Sequence, residues 1–258
     1  MSEAPDFGKA AEDYARYRQG FPESFFPRIA ALGCGLPGQR VLDIGTGTGL
    51  LARALAKRGC RVTGLDPNPA LLGQARRLDA EAGVAIDYVE AGAEATGLPD
   101  AAFDCISAAT CWHWFDRARA AAECARLLAP AGRLLICDLD WHFTPGSIGR
   151  KTWDLVLHHT PNRDGPIGGT FRYPDWTSDL TRAGLTAWEA FAYTTTLDYT
   201  EEAWRGRVRA SAAVGPVMDA PTLARFDAAM AAMLRQATGG AARFPVGHKI
   251  FALVARRE

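Results

Sequence analysis

The chain has 258 residues, of which 48% are hydrophobic and 22% are charged, which is typical of a soluble globular protein and excludes a disordered, collagen-like or coiled-coil chain. The 29 basic residues balance the 29 acidic residues. The basic excess with which nucleic-acid-binding proteins neutralise phosphates is therefore absent, and no nucleic-acid partner is expected. No run of 18 or more apolar residues and no signal-peptide pattern is found, so we expect a cytoplasmic protein without a membrane partner.

The candidate metal ligands of the sequence are its cysteines and a short alternating set of acidic residues and a histidine. The six cysteines are spread along the chain without a C-x-x-C pair, namely Cys34, Cys60, Cys105, Cys111, Cys124 and Cys137. This spacing favours free thiols in a reducing compartment over a zinc site. Asp138, Asp140 and His142 alternate and can share one face of a strand. They lack the rest of a metal-ligand pattern, so no metal is expected.

The elements predicted before residue 140 alternate between strands and helices. A helix over Pro22–Leu32 comes first, followed from about residue 37 by short apolar runs and amphipathic stretches. This alternation is the signature of β-α-β units in a parallel sheet. Asn68 and Asp116 are expected to cap two of the helices, which end near Gly83 and near Pro130 and Gly132. The predicted strands are Arg40–Ile44, Arg61–Leu65, Ala85–Val89, Phe103–Ala108 and Arg133–Leu139.

The second half of the chain has a different pattern. Residues 141–184 are aromatic and irregular and predict loops with short helices. Two strands, Thr186–Leu197 and Lys249–Ala255, enclose two predicted helices, Glu201–Ala213 and Pro221–Ala237. An insertion of this length must cover another part of the protein. We therefore predict one domain over residues 1–258, with a core at about 37–140 and 185–258. The lid elements of this domain are expected at 1–33, 141–184 and 200–245.

The glycine-rich stretch from Val41 to Gly49 is the most informative motif. It places a G-x-G-x-G turn directly after the first predicted strand, where glycines allow a ligand to approach the backbone closely. Asp43 precedes the first glycine by two residues and suits a ligand with a cationic amino group better than a pyrophosphate. Asp66 follows the second strand, where an acid typically binds the two hydroxyls of a ribose. A tight turn without a ligand is the alternative interpretation.

These residues together resemble the class I methyltransferases that bind S-adenosylmethionine (SAM). Gly92-Ala93-Glu94 resembles the family's segment beside the adenine. The segment from Tyr14 to Phe21 resembles the family's N-terminal Y-A-x-Y-R-P motif, with Gln19 in place of the proline, and residues 110–116 resemble its H-W-F-D segment. The match extends over almost the whole chain and is similar to the small-molecule group that includes trans-aconitate methyltransferase.

The resemblance implies an α/β fold with a doubly wound, mostly parallel seven-stranded sheet, which is the Rossmann-like methyltransferase fold. The expected strand order is 3-2-1-4-5-7-6, with the last strand antiparallel to its neighbours. The cofactor is expected to be SAM, bound across the ends of the first, second and fourth strands. The predicted cofactor-binding residues are Asp43, Gly45, Thr46, Gly47, Asp66, Pro67, Ala93, Glu94, Ala109 and Arg18.

The acceptor is expected to be a small molecule methylated on a carboxylate or phenol oxygen, with N- or S-methylation and a non-catalytic SAM-binding protein as alternatives. His113 is the candidate general base, or else a packing residue between two tryptophans. Arg205 and Arg209, four residues apart on one helix face, are candidates for holding an anionic substrate, or else form a solvated face. The remaining candidates for substrate contacts are Trp112, Trp114 and Trp141. The sequence does not indicate an oligomeric state.

Overall fold

The structure is a computed structural model that describes residues 16–160, 173–215 and 217–257. The part of the predicted N-terminal motif before Arg16 lies outside the described residues. Within the described ranges, no helix is long and apolar enough to cross a membrane.

Seven strands and eight α-helices of the described residues define the fold. The strands are β1 (Arg40–Ile44), β2 (Arg61–Leu65), β3 (Asp87–Val89), β4 (Phe103–Ala109), β5 (Leu128–Trp141), β6 (Ala187–Tyr199) and β7 (Phe244–Arg256). The helices are α1 (Phe26–Ala31), α2 (Leu50–Ala56), α3 (Pro69–Ala82), α4 (Arg117–Leu127), α5 (Ile148–His159), α6 (Tyr173–Arg182), α7 (Glu201–Arg209) and α8 (Ala220–Thr238). Single 3₁₀ turns lie at Glu23–Phe25 and Trp112–Trp114.

The seven strands form one sheet in the order β3-β2-β1-β4-β5-β7-β6, which confirms the predicted topology. β1 pairs in parallel with β2 and with β4, and the outer pairs β2–β3 and β4–β5 are parallel as well. Four of the five residues of β1 are buried. Near-continuous burial of this kind is expected of a parallel strand that is covered on both faces.

The contacts at the two ends of β7 give its direction. Just after β5, the backbone N–H of His142 donates to Gly247 O in the first part of β7, at 2.9 Å. Just after β7, Arg257 donates to Ala125 O, which precedes β5, at 2.5 Å. Arg243, at the start of β7, donates to Asp198 O near the end of β6, at 3.1 Å. β7 therefore runs antiparallel to both neighbours, as the resemblance implied.

The helix caps follow from local sequence. The Asn68 side chain accepts hydrogen bonds from the N–H groups of Ala70 and Leu71, and Gly83 ends α3 in the left-handed conformation at φ 66°. These contacts satisfy backbone groups that the helix leaves unpaired at its ends. Asp116 caps α4 in the same way, through the N–H of Arg119.

The predicted end of α4 was wrong by one residue, and the predicted start of β5 was wrong by five. Pro130 and Gly132 were expected to separate the helix from the strand, but β5 begins at Leu128, directly after the helix. The register explains the difference, because Phe103 pairs with Leu128 whereas Cys105 pairs with Arg133. The extra residues of β5 are accommodated in a bulge, where a proline without an N–H is tolerated.

The chain divides into two compact units. The first, which we call the core unit, comprises the described residues within 19–139, 171–192 and 251–257. Its apolar centre contains buried side chains of the central strands, such as Leu42, Ile106, Leu134 and Phe251. The packing of Trp112 and of the inner face of α4 against these strands completes this centre.

The second unit comprises the described residues within 1–18, 140–170 and 193–250. Its centre is rich in aromatic residues and methionine, and Trp204, Tyr199, Phe226 and Met230 are each at most 1% exposed. Much of this unit consists of residues from the lid elements predicted at 141–184 and 200–245. The two units are described separately below.

A buried ionic network supports the glycine-rich turn of the core unit. The Arg53 guanidinium donates through Nε to the carboxylate of Asp79 at 2.7 Å and through Nη2 to Thr48 O at 2.8 Å. Tyr88 donates to the other oxygen of Asp79 at 2.8 Å. The network therefore connects α2, α3 and β3 with the backbone of the turn.

We expect Asp79→Ala to destabilise the folded protein by about 3–5 kcal/mol, because it leaves the buried guanidinium without its carboxylate. Urea denaturation measures the change. Glu81→Ala is the matched control on the same helix, since the Glu81–Arg77 pair is exposed, and exposed pairs of this spacing contribute about 0.5 kcal/mol or less. Equal losses in the two variants would contradict a structural role for the network.

Candidate functional site

The glycine-rich turn leaves β1 in a conformation that favours glycine. Gly45, Gly47 and Gly49 have φ values of 62°, 56° and 75°, in the left-handed region that side chains disfavour. Space is limiting at Gly45, where a Cβ atom would lie 2.9 Å from the Cβ and Sγ atoms of Cys111. The Thr46 N–H donates to Leu65 O at 3.0 Å, so that the turn is fixed to the end of β2.

Asp66 joins the turn to the end of β2. One carboxylate oxygen accepts the Gly47 N–H at 2.9 Å and the other accepts the Asn68 N–H, also at 2.9 Å. Burial raises the pKa of Asp66, and these two hydrogen bonds act in the opposite direction. Because each carboxylate oxygen has two acceptor positions, each can still accept one more hydrogen bond. The predicted contact with the two hydroxyls of a ribose would need two such acceptor positions.

Asp43 lies beneath the turn and is 1% exposed. Its two oxygens accept hydrogen bonds from the hydroxyls of Thr46, at 2.7 Å, and Ser107, at 2.6 Å. Burial raises the pKa of Asp43 to about 6, against the opposing effect of these hydroxyls. The carboxylate is therefore ionised at neutral pH and positions Thr46, while its charge favours a cation nearby.

The segment after β3 contains the residues that were predicted beside the adenine. Ala93 is 4% exposed and belongs to the apolar centre of the core unit. A carboxylate oxygen of Glu94 accepts the Asp116 N–H at 2.9 Å. Glu94 therefore connects this segment with the start of α4. The start of α4 in turn follows β4 closely in the sequence.

The three candidate residues in the segment after β4 differ in their exposure to solvent. Trp112 is 1% exposed and packs edge-to-face against Phe115, at a centroid distance of 5.9 Å. His113 and Trp114 are both exposed, with their rings 4.8 Å apart. Thr110, just before them, has φ 60°, an unusual value for a residue with a branched side chain. The structure therefore makes Trp112 a core residue and leaves His113 and Trp114 open to solvent.

The other four candidates lie in the second unit. Trp141 is 6% exposed and packs against Trp204 at a ring distance of 5.0 Å. Arg205 and Arg209 do share one helix face, but both are ion-paired with Asp227. Burial raises the pKa of the Tyr199 hydroxyl, and the positive charge of Arg18 opposes this shift. The role of the two α7 arginines in holding an anion stays a prediction.

Two residues near the turn were not predicted from the sequence. Ser107 and Cys111 contact Asp43 and Gly45 from the end of β4 and the segment after it, because β4 is the parallel neighbour of β1. A polar residue near the end of a neighbouring strand was the available signal for Ser107. Among the described residues, no group of three or more His, Cys, Asp or Glu side chains is arranged so that it could hold a metal ion.

Comparisons with known proteins agree with this geometry. A family model described as a methyltransferase domain matches residues 42–136. An uncharacterised methyltransferase of Mycobacterium tuberculosis is 33% identical over 191 residues, which covers 69% of this chain and 73% of the relative. The chain belongs to the class I SAM-dependent methyltransferases.

Two further similarities bear on this methyltransferase. A ubiquinone biosynthesis O-methyltransferase of Xylella fastidiosa is 33% identical over 182 residues, covering 69% of this chain and 70% of that protein. A solved structure from Anaeromyxobacter dehalogenans, assigned as a type II methyltransferase, has a TM-score of 0.62 at 24% identity and covers 93% of this chain and 97% of its own. The second similarity concerns the fold alone. Together with the family, the relatives favour an enzyme over a non-catalytic SAM-binding protein.

We expect the buried Asp43 carboxyl to make stability pH-dependent in the methyltransferase without cofactor. Its pKa of about 6 in the folded protein lies above the unfolded value of about 3.9. The folded state therefore binds the proton more tightly, and this contribution to stability is full below about pH 4 and lost as the pH rises through about 6.

Asp43→Asn cannot ionise, so we expect its stability to change less than that of the wild type between pH 4 and pH 6. Urea denaturation at several pH values measures the difference. The exposed Asp87 provides a control with the same chemical change, and Asp87→Asn should keep the wild-type slope. If the stability of Asp43→Asn changed with pH as steeply as that of the wild type, the raised pKa of Asp43 would be contradicted.

Proposed function

We propose that the core unit binds SAM at the glycine-rich turn and that the enzyme methylates a small acceptor on oxygen. The observation that carries the cofactor proposal is the hydrogen bond between the Gly47 N–H and Asp66. It places Gly47, a residue without a side chain, beside a buried carboxylate that has further acceptor positions. This combination suits a ligand that brings hydroxyl donors close to the backbone.

The residues present fit SAM in shape and charge. Gly45 and Gly47 would allow the methionine part to approach the backbone, and Asp66 would accept from the ribose hydroxyls. The predicted contacts of Thr46, Pro67, Ala93, Glu94 and Ala109 belong to the same proposal, whereas Arg18 lies in the second unit and its contact stays a prediction. The ionised Asp43 would favour the cationic groups of the ligand through its charge, from a buried position beneath the turn.

When bound, SAM supplies a methyl group that its positively charged sulfur has already activated. The protein therefore has to align the acceptor oxygen, exclude water and, for a neutral acceptor, remove a proton. Alignment alone contributes roughly 7–11 kcal/mol in favourable intramolecular reactions. A carboxylate acceptor needs no base because it is already ionised, whereas a phenol gains from one. His113 is the candidate for this base.

One relative and one resemblance expected from the sequence favour oxygen as the acceptor atom. The Xylella relative, which is similar over about 70% of both chains, is named as an O-methyltransferase. The resemblance to trans-aconitate methyltransferase likewise favours an oxygen, in that case a carboxylate. The balance of 29 basic and 29 acidic residues supports a small molecule over a nucleic acid. N- or S-methylation of a small metabolite is the alternative.

We expect Asp66→Asn to weaken SAM binding by about 1.5–3 kcal/mol, the usual contribution of a hydrogen bond to a charged group. The variant keeps the size of the side chain but loses the charge and one acceptor oxygen. Isothermal titration calorimetry measures the affinity, and urea denaturation without ligand checks that the variant folds. Asp87→Asn should bind SAM as the wild type does, and unchanged affinity in Asp66→Asn would remove the proposed ribose contact.

The role of His113 depends on the acceptor. We expect His113→Ala to lower kcat by about 100-fold or more with a phenol acceptor, where a base contributes, and little with a carboxylate. Steady-state kinetics with both acceptor classes provides the test. Arg119→Gln, at an exposed position of α4 close in sequence, is the control and should keep the wild-type kcat. A loss of kcat as large with a carboxylate as with a phenol would show that His113 does not act as a base.

A further inference from the structure

Two glycines of the core unit make room for one aromatic side chain. Gly64 lies inside β2, where a glycine often marks the close approach of another group. A Cβ atom at Gly64 would lie 2.5 Å from a ring carbon of Tyr88, and one at Gly49 would lie 2.5 Å from the Tyr88 hydroxyl. Gly64 and Tyr88 are also partners in the parallel pair of β2 and β3. The side chain of Tyr88 therefore occupies the space that the two glycines leave open.

Two further side chains approach Tyr88 and Gly64. The guanidinium of Arg76, on α3, lies over the Tyr88 ring at 5.5 Å from its centroid. The methyl group of Thr46, a residue of the glycine-rich turn, would lie 3.1 Å from a Cβ atom at Gly64. Tyr88 therefore packs against the same strand residue as the turn does, and its own position is restricted by α3.

The Tyr88 hydroxyl donates to a buried carboxylate. Its partner is one oxygen of Asp79, at 2.8 Å, and Asp79 is 4% exposed. Burial and the nearby Asp79 raise the pKa of Tyr88, so that the hydroxyl stays protonated at neutral pH and acts as the donor. The other oxygen of Asp79 accepts from Nε of Arg53 at 2.7 Å. A tyrosine and an arginine thus share one carboxylate, and each limits the movement of the other.

Arg53 extends these contacts to the backbone of the glycine-rich turn. Its Nη2 donates to Thr48 O at 2.8 Å and to Ala75 O at 3.3 Å. Its backbone N–H donates to Gly49 O at 2.8 Å. Because the guanidinium is planar and rigid, orienting Nε toward Asp79 also fixes the direction of Nη2. Arg53 therefore holds the carbonyl groups of two successive residues of the turn.

Asp66, the other half of the candidate cofactor site, is supported differently. Its backbone N–H donates to Val89 O at 3.2 Å, so that it is held by the backbone of β3. This contact does not involve the Tyr88 hydroxyl. The residue proposed to bind the ribose is thus supported by strand pairing, whereas the carbonyl groups of Thr48 and Gly49 are supported by the contacts of Arg53.

We propose that Tyr88 is a positioning residue of the cofactor site, which acts through Asp79 and Arg53 on the Thr48–Gly49 part of the turn. This proposal rests on the proposed function, in which the turn receives the methionine part of SAM. It adds a residue that does not touch the ligand and that sets the affinity for this part. A site binds tightly when the residues behind it fix its geometry in advance.

Two related ligands test the proposal on the full-length protein. Isothermal titration calorimetry compares S-adenosylhomocysteine with 5′-methylthioadenosine, which has the same nucleoside and sulfur but no amino-acid part. Tyr88→Phe keeps the ring and loses the hydroxyl. We expect it to weaken binding of S-adenosylhomocysteine by about fivefold or more and that of 5′-methylthioadenosine by less than about twofold. Arg53→Lys keeps the charge but loses the rigid fork, and it should give the same pattern.

A role in folding stability alone would not produce this pattern, because the affinity of a fully folded protein does not depend on its margin of stability. Far-ultraviolet circular dichroism and urea denaturation without ligand check that each variant is folded during the titration. Asp104→Asn is the control, since Asp104 accepts from Arg40 at the start of β1, the end opposite to the turn. It should bind both ligands as the wild type does. Arg53→Lys decides if Tyr88→Phe does not fold.

Two outcomes in the folded variants would overturn the proposal. The first is an unchanged affinity for S-adenosylhomocysteine, which would show that Tyr88 does not position the turn. The second is an equal loss for both ligands, which would show that its effect is not specific to the part of the site that receives the methionine. Failure of the proposed function is distinguishable, because it would appear in the wild type, which would then bind neither ligand.

Discussion

The hydrogen bond from the Gly47 N–H to the Asp66 carboxylate is the contact on which the candidate cofactor site depends. It joins the turn after β1 to the end of β2, which are adjacent because the two strands pair in parallel. The carboxyl ends of parallel strands meet at one edge of a sheet, and residues far apart in sequence converge there. Gly45 adds the second requirement, because the turn is packed so closely against Cys111 that a side chain has no room.

Buried charge is used in two ways in the core unit. Asp79 and Arg53 neutralise each other and stabilise the glycine-rich turn. Asp43 accepts hydrogen bonds from two hydroxyls, and under the proposed function its charge acts on a cationic ligand. The first arrangement is structural, whereas the second suits a ligand with a cationic group.

The buried negative charge of Asp43 agrees with the chemistry of the family. A SAM-dependent methyltransferase binds a positively charged methyl donor and has to orient a nucleophile toward it. Catalysis of such a transfer depends largely on alignment, so a proton-removing residue is needed only where the acceptor is neutral. The exposed His113 is the proposed residue for that role.

The sequence by itself determined the strand order, the caps at Asn68 and Asp116, and the glycine turn with its acidic residues. These features depend on local patterns or on a resemblance that local motifs carry. Tertiary structure decided which arginine of α7 is buried. Helical spacing shows that Arg205 and Arg209 share a face and that Arg207 lies on another, but it does not show which face is covered. That depends on Asp227, Trp141 and Tyr199, which reach α7 from distant parts of the chain.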